Sequence, residues 1–162
     1  MSEKSIRSRV EAIKRQQIAS KKIVNLSDFR NLSSRPDPSV ILVVDDDEVM
    51  RSALKRILEA ESYNVVMAED GLELSKVLES RRLDMILLDV NLPWVDGYEL
   101  CRMIKSHHGL RGVPLVLVSG RKNPEDVERG INAGADAYIT KPFEVDQILQ
   151  IVQQKIAPQK DS

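Results

Sequence analysis

The feature that most constrains this 162-residue chain is a fivefold alternation of short apolar runs and amphipathic stretches, beginning at residue 40. Val40–Val44 is a continuous run of β-branched residues and Leu. Behind it, Met50, Ala53, Leu54, Ile57 and Leu58 fall on one helical face. Residues 63–67 read as a second strand, with Leu74, Val77 and Leu78 on the helix that follows. Residues 85–88 form a third strand that ends at Asp89, and Leu100, Met103 and Ile104 mark the next helix. A fourth strand over 113–118 ends at Ser119. Asn123 then caps a helix that has Pro124 in its first turn and Glu125 and Asp126 just behind. Ala137–Thr140 is a short fifth strand, and Val145, Ile148, Leu149, Val152 and Ile156 mark a last helix.

Strands that are apolar along their whole length are buried on both faces, which predicts a parallel sheet between two helical layers. Right-handed crossovers leave few topologies. For five such units the expectation adopted is a doubly wound α/β sheet of flavodoxin-like order 2-1-3-4-5. A Pro-containing linker, SSRPDPS over 33–39, separates this domain from what precedes it. The organisation expected is a basic N-terminal extension and linker over 1–38, a domain over 39–157 and a tail over 158–162. In the extension, Ile6, Val10 and Ile13 have the spacing of a short amphipathic helix, with a mobile tail as the other reading.

Composition narrows the function classes. Residues 1–38 carry 9 Lys/Arg against 4 Asp/Glu, whereas 39–162 carry 15 against 21. The domain is therefore acidic, without the basic stripe expected of a nucleic-acid binder. Cys101 is the only cysteine, which excludes an internal disulfide and a multi-cysteine metal site and suits a reducing, cytoplasmic setting. The longest apolar runs are four or five residues, far short of a membrane span, and the polar N-terminus is unlike a secretory signal.

Polar residues sit at the strand ends. Asp45, Asp46 and Asp47 follow the first strand, Asp89 the third, Ser119 the fourth, and Thr140 and Lys141 the fifth. In an open parallel sheet the carboxyl ends of the strands share one edge, and ligands bind there. The expected order puts strands one and three side by side, so Asp45, Asp46, Asp89, Ser119 and Lys141 should converge. Strand two ends in Ala68, outside the cluster. Crowded carboxylates repel, and a hard dication such as Mg2+ resolves the repulsion while leaving room for phosphate oxygens. Lys141 supplies a point cation for a phosphate and Ser119 a hydroxyl donor. Gly120 leaves room beside them. These are the parts of a phosphoryl-transfer site, and a carboxylate such as Asp89 can itself be the nucleophile.

Four segments, ILVVDDDEVMR (41–51), MILLDVNLPWVDGYEL (85–100), LVLVSG (115–120) and AGADAYITKPF (133–143), resemble the receiver domain of bacterial two-component response regulators. The resemblance covers about residues 40–156 and has its motifs in the family's order and spacing. It implies a signalling phospho-acceptor rather than an enzyme. A histidine kinase or phosphotransfer protein would donate its phosphoryl group to Asp89. The resemblance assigns Mg2+ to Asp46 directly, to Asp45 mainly through water, to Asp89, and to the backbone carbonyl of Asn91. It places Ser119 and Lys141 on the phosphoryl group and makes the Lys141–Pro142 bond cis. Tyr138 would swing inward on activation, and Asn91 and Arg121 would tune the lifetime of the acyl phosphate. The output face would be helix 4, strand 5 and helix 5, contacting an unknown protein target or a second copy in a phosphorylation-dependent dimer. The fourth helix looks easy to move, with Gly130 in its interior and only Val127 and Ile131 as clear apolar anchors.

Other features have plainer readings. Asp47 reads as a solvated helix-start acid, His107 and His108 as an exposed helix end, and Cys101 as a small helix residue. Trp94, after Pro93, is either a partner contact or a residue packed on its own loop. Two other functions compete with this reading. Asp45-x-Asp47-x-Val49 also matches the start of a haloacid-dehalogenase-type phosphohydrolase, but no acidic pair follows Lys141, and Asp89 and the Lys-Pro pair go unexplained. A phosphorylation-independent pseudo-receiver would keep the fold as a binding module, yet such modules normally lose site residues and this chain has all five.

Overall fold

The computed structural model describes residues 38–156. The candidate helix of the basic extension and the tail beyond the last helix lie outside the described residues. The elements are β1 (Val40–Val44), α1 (Glu48–Glu59), β2 (Asn64–Ala68), α2 (Gly71–Ser80), β3 (Met85–Asp89), α3 (Gly97–Ser106), β4 (Leu115–Ser119), α4 (Pro124–Asn132), β5 (Ala137–Thr140) and α5 (Val145–Ile156). The five strands form one parallel sheet in the order β2-β1-β3-β4-β5, the order that a flavodoxin-like fold implies.

Alternation along the central strands builds two cores. Ile41, Val43, Met85, Leu87, Val116 and Val118 face Leu54 and Leu58 of α1 and Ile148 and Val152 of α5. Leu42, Val44, Ile86, Leu88, Leu115 and Leu117 face Leu74 of α2 and Leu100, Cys101 and Ile104 of α3. Full burial of an aliphatic side chain contributes about 1.5–3 kcal/mol, and both faces of β1, β3 and β4 collect it. The strand tips are therefore fixed from both sides. Among the described residues, no helix is long and apolar enough to cross a membrane.

Some boundaries differ from the sequence expectation. β2 starts at Asn64 rather than Tyr63, because the Tyr63 amide still donates to Leu58 O and Ser62, at φ 69°, turns the chain after α1. β4 starts at Leu115 rather than Val113. Val113 N–H closes a turn onto Leu110 O, and Pro114 has no N–H to give to the ladder. Asn123 occupies the cap position of α4, but its side chain makes no cap hydrogen bond. Met103 and Ile131, expected on apolar faces, are 64% and 59% exposed. Gly130 is the buried residue of α4: a Cβ there would lie 2.8 Å from the Tyr138 ring and 2.9 Å from Leu117. This helix approaches the sheet through the absence of a side chain.

Candidate functional site

The carboxyl tips of β1, β3, β4 and β5 bring the five predicted residues together. Asp45, Asp89 and Ser119 are buried, while Asp46 is exposed. One carboxylate oxygen from each of Asp45, Asp46 and Asp89 lies within 4.8 Å of the others. Lys141 Nζ lies 3.1 Å from Asp45 Oδ2 and 3.6 Å from Asp89 Oδ1. Its backbone N–H donates to Ser119 O at 2.7 Å, which registers the β5 end against β4. The Lys141–Pro142 peptide is cis.

Each acid is held differently. Both oxygens of Asp45 accept: Oδ1 from Asp47 N–H at 2.8 Å and Oδ2 from Lys141. Asp89 Oδ1 accepts from Asn91 N–H at 3.2 Å. Burial, and then the charge of Asp45, push the Asp89 carboxyl above its ordinary range, and Lys141 and the Asn91 amide oppose the shift. An acid so placed gains from any added cation. Asp47 caps α1, accepting from the amides of Val49 and Met50, as a helix-start acid should.

Several contacts bound the cleft beside Asp89. Its volume is about 530 Å3, and its lining includes Asp46, Asn91, Trp94, Asp96 and Arg121. Arg121 Nε donates to Asn91 Oδ1 at 2.9 Å, so the two residues expected to tune lifetime touch across the mouth. Ser119 Oγ accepts from Arg121 N–H at 3.0 Å. Tyr138 donates its hydroxyl to Arg121 O at 2.9 Å and lies 3.3 Å from the hydroxyl of buried Tyr98. Burial and that hydroxyl neighbour raise the Tyr98 pKa. Trp94 packs on the neighbouring β2–α2 turn rather than on its own loop: its indole N–H donates to Glu69 O at 3.2 Å and its ring sits over Gly71. His107 and His108 are exposed after α3, and Cys101 is buried in the core with its thiol raised to about 11 by that burial.

Two features escaped the sequence reading. Arg51 is buried on α1, with Nη1 2.6 Å from Asp45 O and Nη2 3.2 Å from Glu69 Oε2. Its spacing to Leu54 and Leu58, three and seven residues on, places it on the core face and was the available signal. Arg129 on α4 stands 4.5 Å over the Tyr98 ring and pairs with Asp96 at 3.0 Å. That contact joins α4 to the start of α3, distant in sequence, and periodicity carries no trace of it.

Fold and cleft together define a doubly wound α/β domain with an acidic, cation-competent pocket at the topological switch point, flanked by a lysine and a hydroxyl. Residues 41–153 match the family model for the response regulator receiver domain. The chain belongs to this family, that of two-component systems. It is 38% identical over 112 residues to the response regulator MprA of Mycobacterium sp. (strain KMS), covering 69% of this chain and 48% of the relative. The chain thus spans about half the length of that curated relative. Among solved structures, it resembles the receiver domain of sensor histidine kinase PA1611 from Pseudomonas aeruginosa PAO1, which has a magnesium ion coordinated in the active-site cleft. There the TM-score is 0.68, with 30% identity and coverage of 75% of this chain and 99% of that one. It also resembles Vibrio cholerae chemotaxis protein CheY4, with TM-score 0.68, 27% identity and coverage of 73% and 98%.

Proposed function

We propose that this domain accepts a phosphoryl group from the phosphohistidine of a histidine kinase or phosphotransfer protein onto Asp89, with Mg2+, and thereby switches its α4/β5/α5 face. The observation that carries the reading is the convergence of Asp45, Asp46, Asp89 and Lys141 at the carboxyl tips of β1, β3 and β5.

The donor set fits Mg2+. Three carboxylates are close enough to share one ion, the acidic charge exceeds what Lys141 offsets, and oxygen is the atom this cation prefers. Asp46, Asp89 and the Asn91 carbonyl would hold it, with Asp45 acting through water. When bound, it supplies neutralising charge for phosphoryl oxygens.

The remaining work falls to side chains. An Asp89 oxygen attacks phosphorus, the P–N bond to the donor imidazole breaks, and the imidazole keeps the electron pair and takes a proton. Lys141 turns from carboxylates to the incoming phosphoryl oxygens. Ser119 donates its hydroxyl while its oxygen still accepts from Arg121. Reversing a two-state equilibrium from 1:99 to 99:1 needs about 5.5 kcal/mol, and each charge-assisted hydrogen bond contributes about 1.5–3 kcal/mol. The Ser119 and Lys141 contacts therefore nearly suffice. Movement of residues 119–121 is carried to β5 by the Tyr138–Arg121 bond. From there it reaches α4, where Gly130 lies against the Tyr138 ring. The output is contact of that face with a protein target or a second copy.

Mg2+ at a hundred times its Kd should stabilise the folded domain by about 2.7 kcal/mol. Asp46→Asn should remove most of that gain while leaving the cation-free melting temperature nearly unchanged, because Asp46 is exposed. Thermal melts with and without Mg2+ check it; an undiminished Mg2+ shift in the variant would place the ion elsewhere.

A further inference from the structure

We infer that Arg51 is a positioning residue of the acidic site: by holding the Asp45 carbonyl it fixes the peptide from which Asp46 projects, and so sets cation affinity. The inference rests on the metal-site reading above. Among the described residues Arg51 is the one buried basic side chain, and it touches none of the three carboxylates of the cluster. Its role is therefore not that of a counter-ion in contact with them.

Asp46 is exposed, and no hydrogen bond among the described residues holds its carboxylate. Its place is inherited from the backbone on either side. The preceding peptide is held through its carbonyl, Asp45 O, by Arg51 Nη1 at 2.6 Å. The following peptide is held through Asp47 N–H, which donates to Asp45 Oδ1 at 2.8 Å. Arg51 is itself anchored. Its own N–H donates to Asp47 O at 2.9 Å as α1 begins, and Nη2 pairs with Glu69 at 3.2 Å. Glu69 O in turn accepts from Trp94 Nε1, five residues beyond Asp89. One guanidinium thus indexes the loop carrying Asp46 against the loop that leaves Asp89, through the turn between β2 and α2. The guanidinium gives one Nη to the carbonyl and the other to the carboxylate in a fixed planar fork, whereas an ammonium would serve both from a single nitrogen on a flexible stem.

The test is calorimetric titration of the full chain with Mg2+, paired with thermal melts in Mg2+-free buffer. Arg51→Met should weaken Mg2+ binding by about tenfold or more, the range for residues that orient metal ligands. Arg51→Lys keeps the charge and should still weaken binding severalfold. Glu69→Gln should shift affinity in the same direction by less. If Arg51→Met fails to fold, Arg51→Lys and Glu69→Gln give the result. Variants that melt lower yet bind Mg2+ as the wild type does would overturn the positioning role, leaving Arg51 a packing residue. A wild-type chain that gives no Mg2+ signal would overturn the metal-site reading, and the positioning role with it.

Discussion

Asp89→Asn should reduce labelling by a small phosphodonor such as acetyl phosphate to background, and should make the cation-free protein more stable near neutral pH. The first effect follows from the chemistry, since an amide oxygen is a far weaker nucleophile than a carboxylate and cannot form the mixed anhydride. The second follows from the setting. Asp89 is 5% exposed and lies beside Asp45, and burial and that like charge raise its pKa above the ordinary 3.8. The folded state then keeps the Asp89 proton to higher pH than the unfolded chain does. Its contribution to stability is full below 3.8 and is lost as pH rises through the raised folded value. At neutral pH the ionised group is a burden that Asn does not carry. The difference in stability between variant and wild type should therefore widen as pH rises through that window. Denaturant melts of both proteins at several pH values, in chelator, measure it. A wild type more stable than Asp89→Asn at neutral pH without Mg2+ would mean that the cluster is not under charge repulsion.

Gly97→Ala should be the most damaging single-methyl change near the site. A Cβ at Gly97 would fall 2.4 Å from Val90 Cα, 2.6 Å from Val90 O and 2.7 Å from Asp89 O. All three are backbone atoms, so no side chain can swing away. Gly97 N–H also donates to Val90 O at 3.0 Å, a bond that draws the start of α3 onto the end of β3. Overpacking of this kind costs about 1–3 kcal/mol and occasionally more, and here the displaced segment carries Asp89. The expected result is a loss of about 3 kcal/mol in urea unfolding together with a marked drop in phosphodonor labelling. The control is Gly112→Ala, where an added Cβ meets nothing within 4 Å. If Gly97→Ala unfolds at the wild-type midpoint and labels normally, the close approach of α3 to β3 does not position the acceptor.

Much of this was legible before any coordinates. Uninterrupted apolar runs such as 41–44 and 85–88, alternating with amphipathic stretches, read as doubly covered strands, and each ends abruptly in Asp, so fold class and acidic edge follow from one pattern. Ser119 and Lys141 were readable for the same reason. What stayed hidden depends on partners far along the chain. Arg51 looks like one more helix charge until Asp45 O and Glu69 are brought to it. Gly130 reads as a weak point inside a helix, whereas its bare Cα lets α4 settle against Tyr138 and Leu117. Met103 and Ile131 have the right spacing for a core face, yet helix rotation leaves them in solvent. Trp94 could have faced a partner; only the neighbouring loop shows that it closes on Glu69 and Gly71.

The central claim is tested most directly by incubating the wild-type chain with acetyl phosphate and Mg2+, weighing it intact, and mapping any adduct by proteolysis. The account predicts one phosphoryl group, labile to hydroxylamine, dependent on Mg2+ and located on Asp89. An adduct on any other residue would contradict it, and no adduct where a control receiver labels fully would leave a binding module that keeps the fold without the chemistry.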